Sequence, residues 1–184
     1  MPTNKEANLV WIDLEMSGLN PEIDTILEIA TVITDSELNT IAIGPELVIN
    51  QEASLFDQMD DWNRKQHTKS GLWQKVLESN TSLDDAELTS LNFIIEHTVP
   101  NKSLLCGNTV YQDRRFLNKY MAKIDDHLHY RLIDVSTIKE LAARWFPNVP
   151  PHQKKNNHRA LDDILESIAE LKYYRQHIFI ATTP

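Results

Sequence analysis

The order of apolar runs along the chain predicts an α/β fold, a mixed five-stranded sheet flanked by helices, in one domain over residues 1–184. Three observations carry this. Three β-rich stretches fill the first fifty residues, helical periodicity then takes over, and two short apolar strands follow, each leading into a helix. At 184 residues and 41% hydrophobic composition the chain is long enough to bury a sizeable core, and it shows no internal repeat, low-complexity tract or interdomain linker.

The first strand is Leu9-Val10-Trp11-Ile12, which runs into Leu14-Glu15-Met16 before Gly18 and Pro21 break the pattern. Ile26 to Thr34 is dense in Ile, Val, Thr and Ala, and a turn at Asp35–Asn39 leads into Thr40 to Ile43, with Glu46 to Asn50 continuing after Gly44-Pro45. Such an order suits an antiparallel meander. Short helices are expected around Met59 to His67 and Gly71 to Leu77. A longer one opens at Ser82, with Leu88, Leu91, Ile94 and Ile95 as its apolar stripe. Ser103 to Cys106 reads as a short strand closed by Gly107-Asn108, and Asp113 to Met121 as a helix. Arg131 to Asp134 is the last strand and Ser136 to Trp145 a helix with Ser136 as its N-cap. After a polar loop from Pro147 to Asn157, Ala160, Leu161, Ile164, Leu165 and Ile168 form the buried stripe of a C-terminal helix. Strand pairing is not legible from one sequence.

Composition narrows the partners. The apolar runs fall short of the roughly 20 residues that span a bilayer, the polar N-terminus lacks the pattern of a signal peptide, and a single cysteine permits no internal disulfide. A cytoplasmic protein without membrane attachment is expected. The net charge of −9 argues against a general duplex binder, which neutralises many phosphates with Lys and Arg. It allows an enzyme whose carboxylates hold cations and whose substrate carries few phosphates.

Asp13 and Glu15 stand two apart at the end of an apolar strand, so both point to one face if the strand continues. Two anions on one face repel unless a cation lies between them, and hard divalent ions favour oxygen ligands. Taken singly, the same pair also suits a solvated strand end, Asp113 a helix start that favours negative charge, and His158 a polar loop. On the last helix Asp162 and Asp163 lie about equally far from the apolar stripe. The small residues Ala160 and Ser167, three before and four after Asp163, favour closer approach of that face to the sheet.

In combination these residues resemble the DEDDh exonucleases of the ribonuclease-H-like superfamily. Three motifs occur in order: Asp13-Leu14-Glu15, then Asn108 to Asp113 followed by Arg114-Arg115-Phe116-Leu117, and then His158-x-Ala160-x-x-Asp163. The resemblance implies a ribonuclease-H-like fold, with Asp13, Glu15, Asp113 and Asp163 holding two Mg²⁺ or Mn²⁺ ions. It also implies in-line phosphodiester hydrolysis from a 3′ end, with His158 as the general base.

Within that superfamily the chain is most similar to the oligoribonuclease group, from about Asn8 to Arg175. Carrying strings include Trp11 to Leu19, Asp113 to Leu117, Tyr130 to Ser136 and His158 to Ile164. This implies a homodimer that degrades very short RNA to 5′-mononucleotides, including dinucleotides such as linear diguanylate. Leu19 would wedge between the two bases, Trp62 and His67 would line the nucleotide pocket, and Thr109, Arg131 and Ser136 would cap the 5′ phosphate. Tyr130 would act in the partner's site. Thr109 stands where the group usually has serine, and Tyr111 where it usually has a small residue. Arg114 and Arg115 point about 100° apart on a helix, so at least one is expected in a structural ion pair; Lys154, Lys155 and Arg159 are better candidates to steer phosphate, although the two lysines suit a solvated loop better still. The competing expectations are an exonuclease of the same type acting on longer DNA or RNA, and a non-catalytic nucleotide-binding domain of this fold.

Overall fold

The computed structural model describes residues 5–153 and 159–179. Lys154, Lys155 and His158 lie outside the described residues. Five strands, β1 (Leu9–Met16), β2 (Ile26–Thr34), β3 (Thr40–Val48), β4 (Leu104–Gly107) and β5 (His129–Asp134), form one sheet in the order β3-β2-β1-β4-β5. β1 to β3 are antiparallel neighbours, whereas β4 runs parallel to both β1 and β5, so the sheet is mixed, as the element order predicts. Among the described residues eight α-helices cover it: α1 (Leu55–Gln58), α2 (Asp61–Lys69), α3 (Leu72–Glu78), α4 (Leu83–His97), α5 (Tyr111–Tyr120), α6 (Ala122–His127), α7 (Val135–Trp145) and α8 (Ala160–His177).

The alternation of β1 sorts the core into two layers. Val10, Ile12 and Leu14 pack with Ile94 of α4, Phe116 and Leu117 of α5 and Ile124 of α6. Leu9 and Trp11 pack on the opposite face with Val135 of α7 and Ala160, Ile164 and Ile168 of α8. Asp13 and Glu15 continue the Leu9 and Trp11 face, so the strand aims both carboxylates towards α8. β4 pairs with β1 only at Val10 and Trp11, which leaves the edge of β1 beyond them open on that side.

Several local expectations change. Residues 40–48 form one strand through Gly44-Pro45; β3 lies at the sheet edge, where a proline without an N–H costs little, and the register with β2 slips there. The expected helix at Met59 to His67 instead starts at Asp61, because Asp60 caps it by accepting from Asn63 N at 2.7 Å. Ser136 is not an N-cap. Asp134 is, accepting from Ser136 N at 2.9 Å, and this places Ser136 inside α7. In the α4 stripe Ile94 is buried but Leu88 and Ile95 are exposed, their intended place taken by Ala86 and Ser90, which let the helix lie closer to the sheet. In α8 Leu165 is likewise exposed, beside buried Ile164 and Ile168.

Candidate active site and metal centre

Asp13 and Glu15 of β1 and Asp163 of α8 each bring a carboxylate oxygen to within 4.8 Å of the others. Asp163, not Asp162, is the residue that meets them. Its peptide N–H donates to Arg159 O at 2.9 Å, and the buried Ser167 hydroxyl donates to Asp163 O at 2.7 Å, so the first two turns of α8 hold it in place.

Asp113 comes from the other layer. It is buried in the first turn of α5, and its carboxylate accepts from Leu14 N at 3.0 Å, filling the edge of β1 that β4 leaves open. Leu14 lies between Asp13 and Glu15, so that bond ties α5 to the middle of the first motif.

The electrostatics follow from burial and like charge. Burial, followed by the charges of Asp113, Asp163, Glu15 and Glu28, raises the Asp13 carboxyl well above the usual carboxylate range. Glu15 is pushed up to about 8 by burial and then by Asp163 and Glu28. Asp113 rises to about 7 through burial, opposed by the hydrogen bond from Leu14. Such a set of hard oxygen donors, crowded and desolvated, is suited to divalent cations, whose charge favours the ionised carboxylates that burial and repulsion disfavour.

Glu28 was not anticipated, although one acid in an otherwise uncharged strand, Ile26–Thr34, is a legible signal. It lies opposite Glu15 in the β1–β2 register and is fully buried. Arg159 answers its charge, with Nη2 at 2.6 Å from Oε1 and Nε at 3.2 Å from Oε2, and also bonds Glu46. Ala160 N donates to the same Glu28 carboxylate at 3.3 Å, which caps α8. The expectation that Arg159 steers phosphate is therefore corrected: its guanidinium is committed to Glu28 and Glu46. Arg114 is a structural partner, paired with Asp125 at 2.8 Å and donating to His129 O at 2.9 Å, whereas Arg115 reaches the Leu19 carbonyl and Gln112.

The remaining predicted residues divide into groups. Thr109 and Ser136 meet, with their hydroxyls 3.0 Å apart, and Asn108 Oδ1 accepts from Ser136 Oγ at 3.0 Å. Thr109 adopts a left-handed φ of 55°, held by its N–H on Asp134 Oδ1 at 3.0 Å, the same oxygen that caps α7. Asn108 in turn donates to Ser167 at 2.7 Å and Glu170 at 3.1 Å, joining this turn to α8. Arg131 is not joined to that pair; its Nε donates to the Tyr130 hydroxyl at 3.1 Å, and Tyr130 stacks on His129 while staying 71% exposed. Leu19 and Trp62 are exposed, at 69% and 65%. His67 is buried and its Nε2 donates to the carbonyl of Met16, next to Glu15, at 2.9 Å; burial holds its pKa below the ordinary value.

The RNase_T exonuclease family model matches residues 10–171. The oligoribonuclease of Shewanella loihica is 51% identical over 175 residues, covering 95% of this chain and 97% of that protein. That of Pseudomonas aeruginosa is 53% identical over 171 residues, covering 92% and 95%. A probable oligoribonuclease of Caenorhabditis elegans is 49% identical over 178 residues, covering 97% and 92%. Among solved structures, exonuclease I superposes with a TM-score of 0.68 at 16% identity, and the zinc-bound Escherichia coli exonuclease I complex with single-stranded DNA with 0.70 at 15%. The chain covers 92% and 94% of itself in these two comparisons but 41% of each exonuclease I chain, so they establish the shared fold. With a family model over most of its length and relatives near half identity end to end, the chain belongs to the oligoribonucleases of the exonuclease family.

Proposed function

We propose that this enzyme is a metal-dependent 3′→5′ exoribonuclease that hydrolyses very short oligoribonucleotides, above all dinucleotides including linear diguanylate, to 5′-mononucleotides. The observation that carries the reading is the convergence of Asp13, Glu15 and Asp163 oxygens within 4.8 Å, with Asp113 fastened to the strand between the first two. Asp13, Glu15, Asp113 and Asp163 would hold two ions, Mg²⁺ or Mn²⁺. When bound, these would lower the pKa of the attacking water and stabilise the charge of the departing 3′ oxygen.

His158 accepts the proton of that water, a role to which an imidazole is suited near neutral pH. Leu19 and Trp62, both exposed, offer apolar surface to the bases, and His67 supports the same pocket. The Thr109 and Ser136 hydroxyls bind the 5′ phosphate, joined by Arg131 once substrate draws it from Tyr130. A capped 5′ phosphate leaves no room for a longer strand, which accounts for the preference for short substrates. Tyr130, exposed and stacked, serves the site of a second copy in a homodimer. Among the described residues no helix is long and apolar enough to cross a membrane, in keeping with an enzyme of the cytoplasm.

The test is a length series of 5′-labelled RNA from two to about twenty nucleotides with Mg²⁺ or Mn²⁺. Hydrolysis of the dinucleotide should far exceed trimming of the longest member; equal rates would overturn the short-substrate reading while leaving the exonuclease chemistry. For the dimer, Tyr130→Ala subunits mixed with Asp13→Ala subunits should regain activity, since one site in the heterodimer is then intact. No recovery despite demonstrated subunit exchange would overturn sharing of Tyr130.

A further inference from the structure

The loop after β1, residues 17–24, carries Leu19 with its side chain 69% exposed, yet its backbone is tied with unusual care. The Leu19 carbonyl accepts from two α5 side chains, Gln112 Nε2 at 2.5 Å and Arg115 Nη1 at 3.4 Å. Arg115 also donates to Gln112 Oε1 at 2.7 Å. That contact settles the amide orientation: the oxygen faces the guanidinium, which leaves the NH₂ for Leu19. The next residue, Asp113, accepts from Leu14 N. Two consecutive residues of α5 thus fasten both ends of the segment from Leu14 to Leu19.

The rest of the loop is braced from within. Asp24 accepts from Ser17 Oγ at 3.1 Å and Asn20 N at 2.9 Å. A Cβ at Gly18 would lie 2.4 Å from the Asp24 carboxylate, so a side chain there would displace the group that braces the loop. The Tyr120 hydroxyl, at the end of α5, reaches the carbonyls of Pro21 at 2.9 Å and Asp24 at 2.6 Å. Holding an exposed leucine this firmly does nothing for the core. It gives the side chain a set position relative to Asp113, because one helix carries both the metal ligand and the clamp.

We infer that Gln112 and Arg115 are positioning residues that hold Leu19 in register with the carboxylates, and so govern how tightly a dinucleotide is bound and how well it is distinguished from a longer strand. This rests on the reading of Leu19 as the residue that separates the two bases. A wedge works only where its position is held, so loosening the clamp costs binding of the dinucleotide while the chemistry at the carboxylates proceeds.

The experiment uses the full chain with Mn²⁺ and 5′-phosphorylated diguanylate, measuring KM and kcat with thermal unfolding alongside. Gln112→Glu keeps the acceptor for Arg115 but sets a carboxylate oxygen against the Leu19 carbonyl. Arg115→Met, at an exposed position, supplies a second variant should the buried substitution fold poorly. Gln112→Glu should raise KM about tenfold with kcat within about twofold of the parent, and Arg115→Met about threefold. Leu19→Ala should raise KM similarly, and the double variant Leu19→Ala/Gln112→Glu should be no worse than Leu19→Ala alone. If Leu19→Ala leaves KM unchanged, the wedge reading itself fails. If Leu19→Ala raises KM but neither α5 variant does, or if the costs add in full, the clamp is overturned while the wedge stands. A fall in melting temperature with KM unchanged also overturns it, since that is the signature of a merely structural contact.

Discussion

The two sides of the site are built in opposite ways. On the proposed metal side, Asp13, Glu15, Asp113 and Asp163 are set in regular strands and helices, and burial, with neighbouring negative charge, raises the proton affinity of Asp13, Glu15 and Asp113. On the proposed substrate side, Leu19, Trp62 and Tyr130 are exposed, the Leu19 carbonyl being held by Gln112 of α5 and the Tyr130 hydroxyl by its neighbour Arg131. The difference teaches that this fold places crowded carboxylates where the core can hold them and leaves its large apolar side chains near the site in water, where the proposed function needs them to meet bases and phosphates. Damage on the first side should therefore appear in turnover and global stability, and damage on the second in affinity and substrate choice.

The sharpest way to break this division is at the carboxylates. Asp13→Asn or Asp163→Asn should lower kcat for a dinucleotide by about a thousandfold or more and abolish stabilisation by Mn²⁺, while Asp162→Asn should stay within about twofold; steady-state kinetics and thermal shifts with and without the ion check both. Next is the ion pair behind them. Arg159→Met leaves Glu28 buried without a counter-charge and should cost about 3–5 kcal/mol in urea unfolding, most of it recovered by Glu28→Gln in the same chain.

On the substrate side, Thr109→Val with Ser136→Ala should reduce kcat/KM about tenfold for a 5′-phosphorylated dinucleotide and leave the unphosphorylated one nearly unchanged. Competition between the two substrates measures the ratio directly. The smallest effect is on pH dependence. Burial holds His67 and His127 below the ordinary histidine pKa, opposed at His67 by the hydrogen bond that its Nε2 donates to the Met16 carbonyl. A base with a depressed folded pKa contributes stability above the unfolded value near 6.5 and loses it as pH falls through the lower folded value. The raised values of Asp13, Glu15 and Asp113 make the metal-free protein more stable as pH falls, and the histidines oppose that rise below about pH 6.5, so His67→Gln should make the rise in melting temperature on acidification steeper.

Legibility differed between the same two regions. The alternation that puts Asp13 and Glu15 on one face is a property of eight consecutive residues and was open to reading before any fold was known. The capping role of Asp134 was missed because Ser136 is the more familiar cap residue two positions later, and nothing local says that Asp134 also holds the Thr109 backbone across the chain. Likewise Arg159, a free cation in sequence, is claimed by Glu28 and Glu46, more than a hundred residues away.

From its sequence alone this protein determined its strands, its helical regions, its mixed α/β class and the residue types of a carboxylate centre, because each follows from periodicity and local chemistry over a few residues. What pairs with Arg159 and what holds the Leu19 carbonyl were decided only by the tertiary structure, which also brings Asp163 to β1, as the motif resemblance and the small residues around it implied. Those choices depend on how α5 and α8 pack against opposite faces of one sheet, and that packing is fixed by contacts between segments that no local pattern connects.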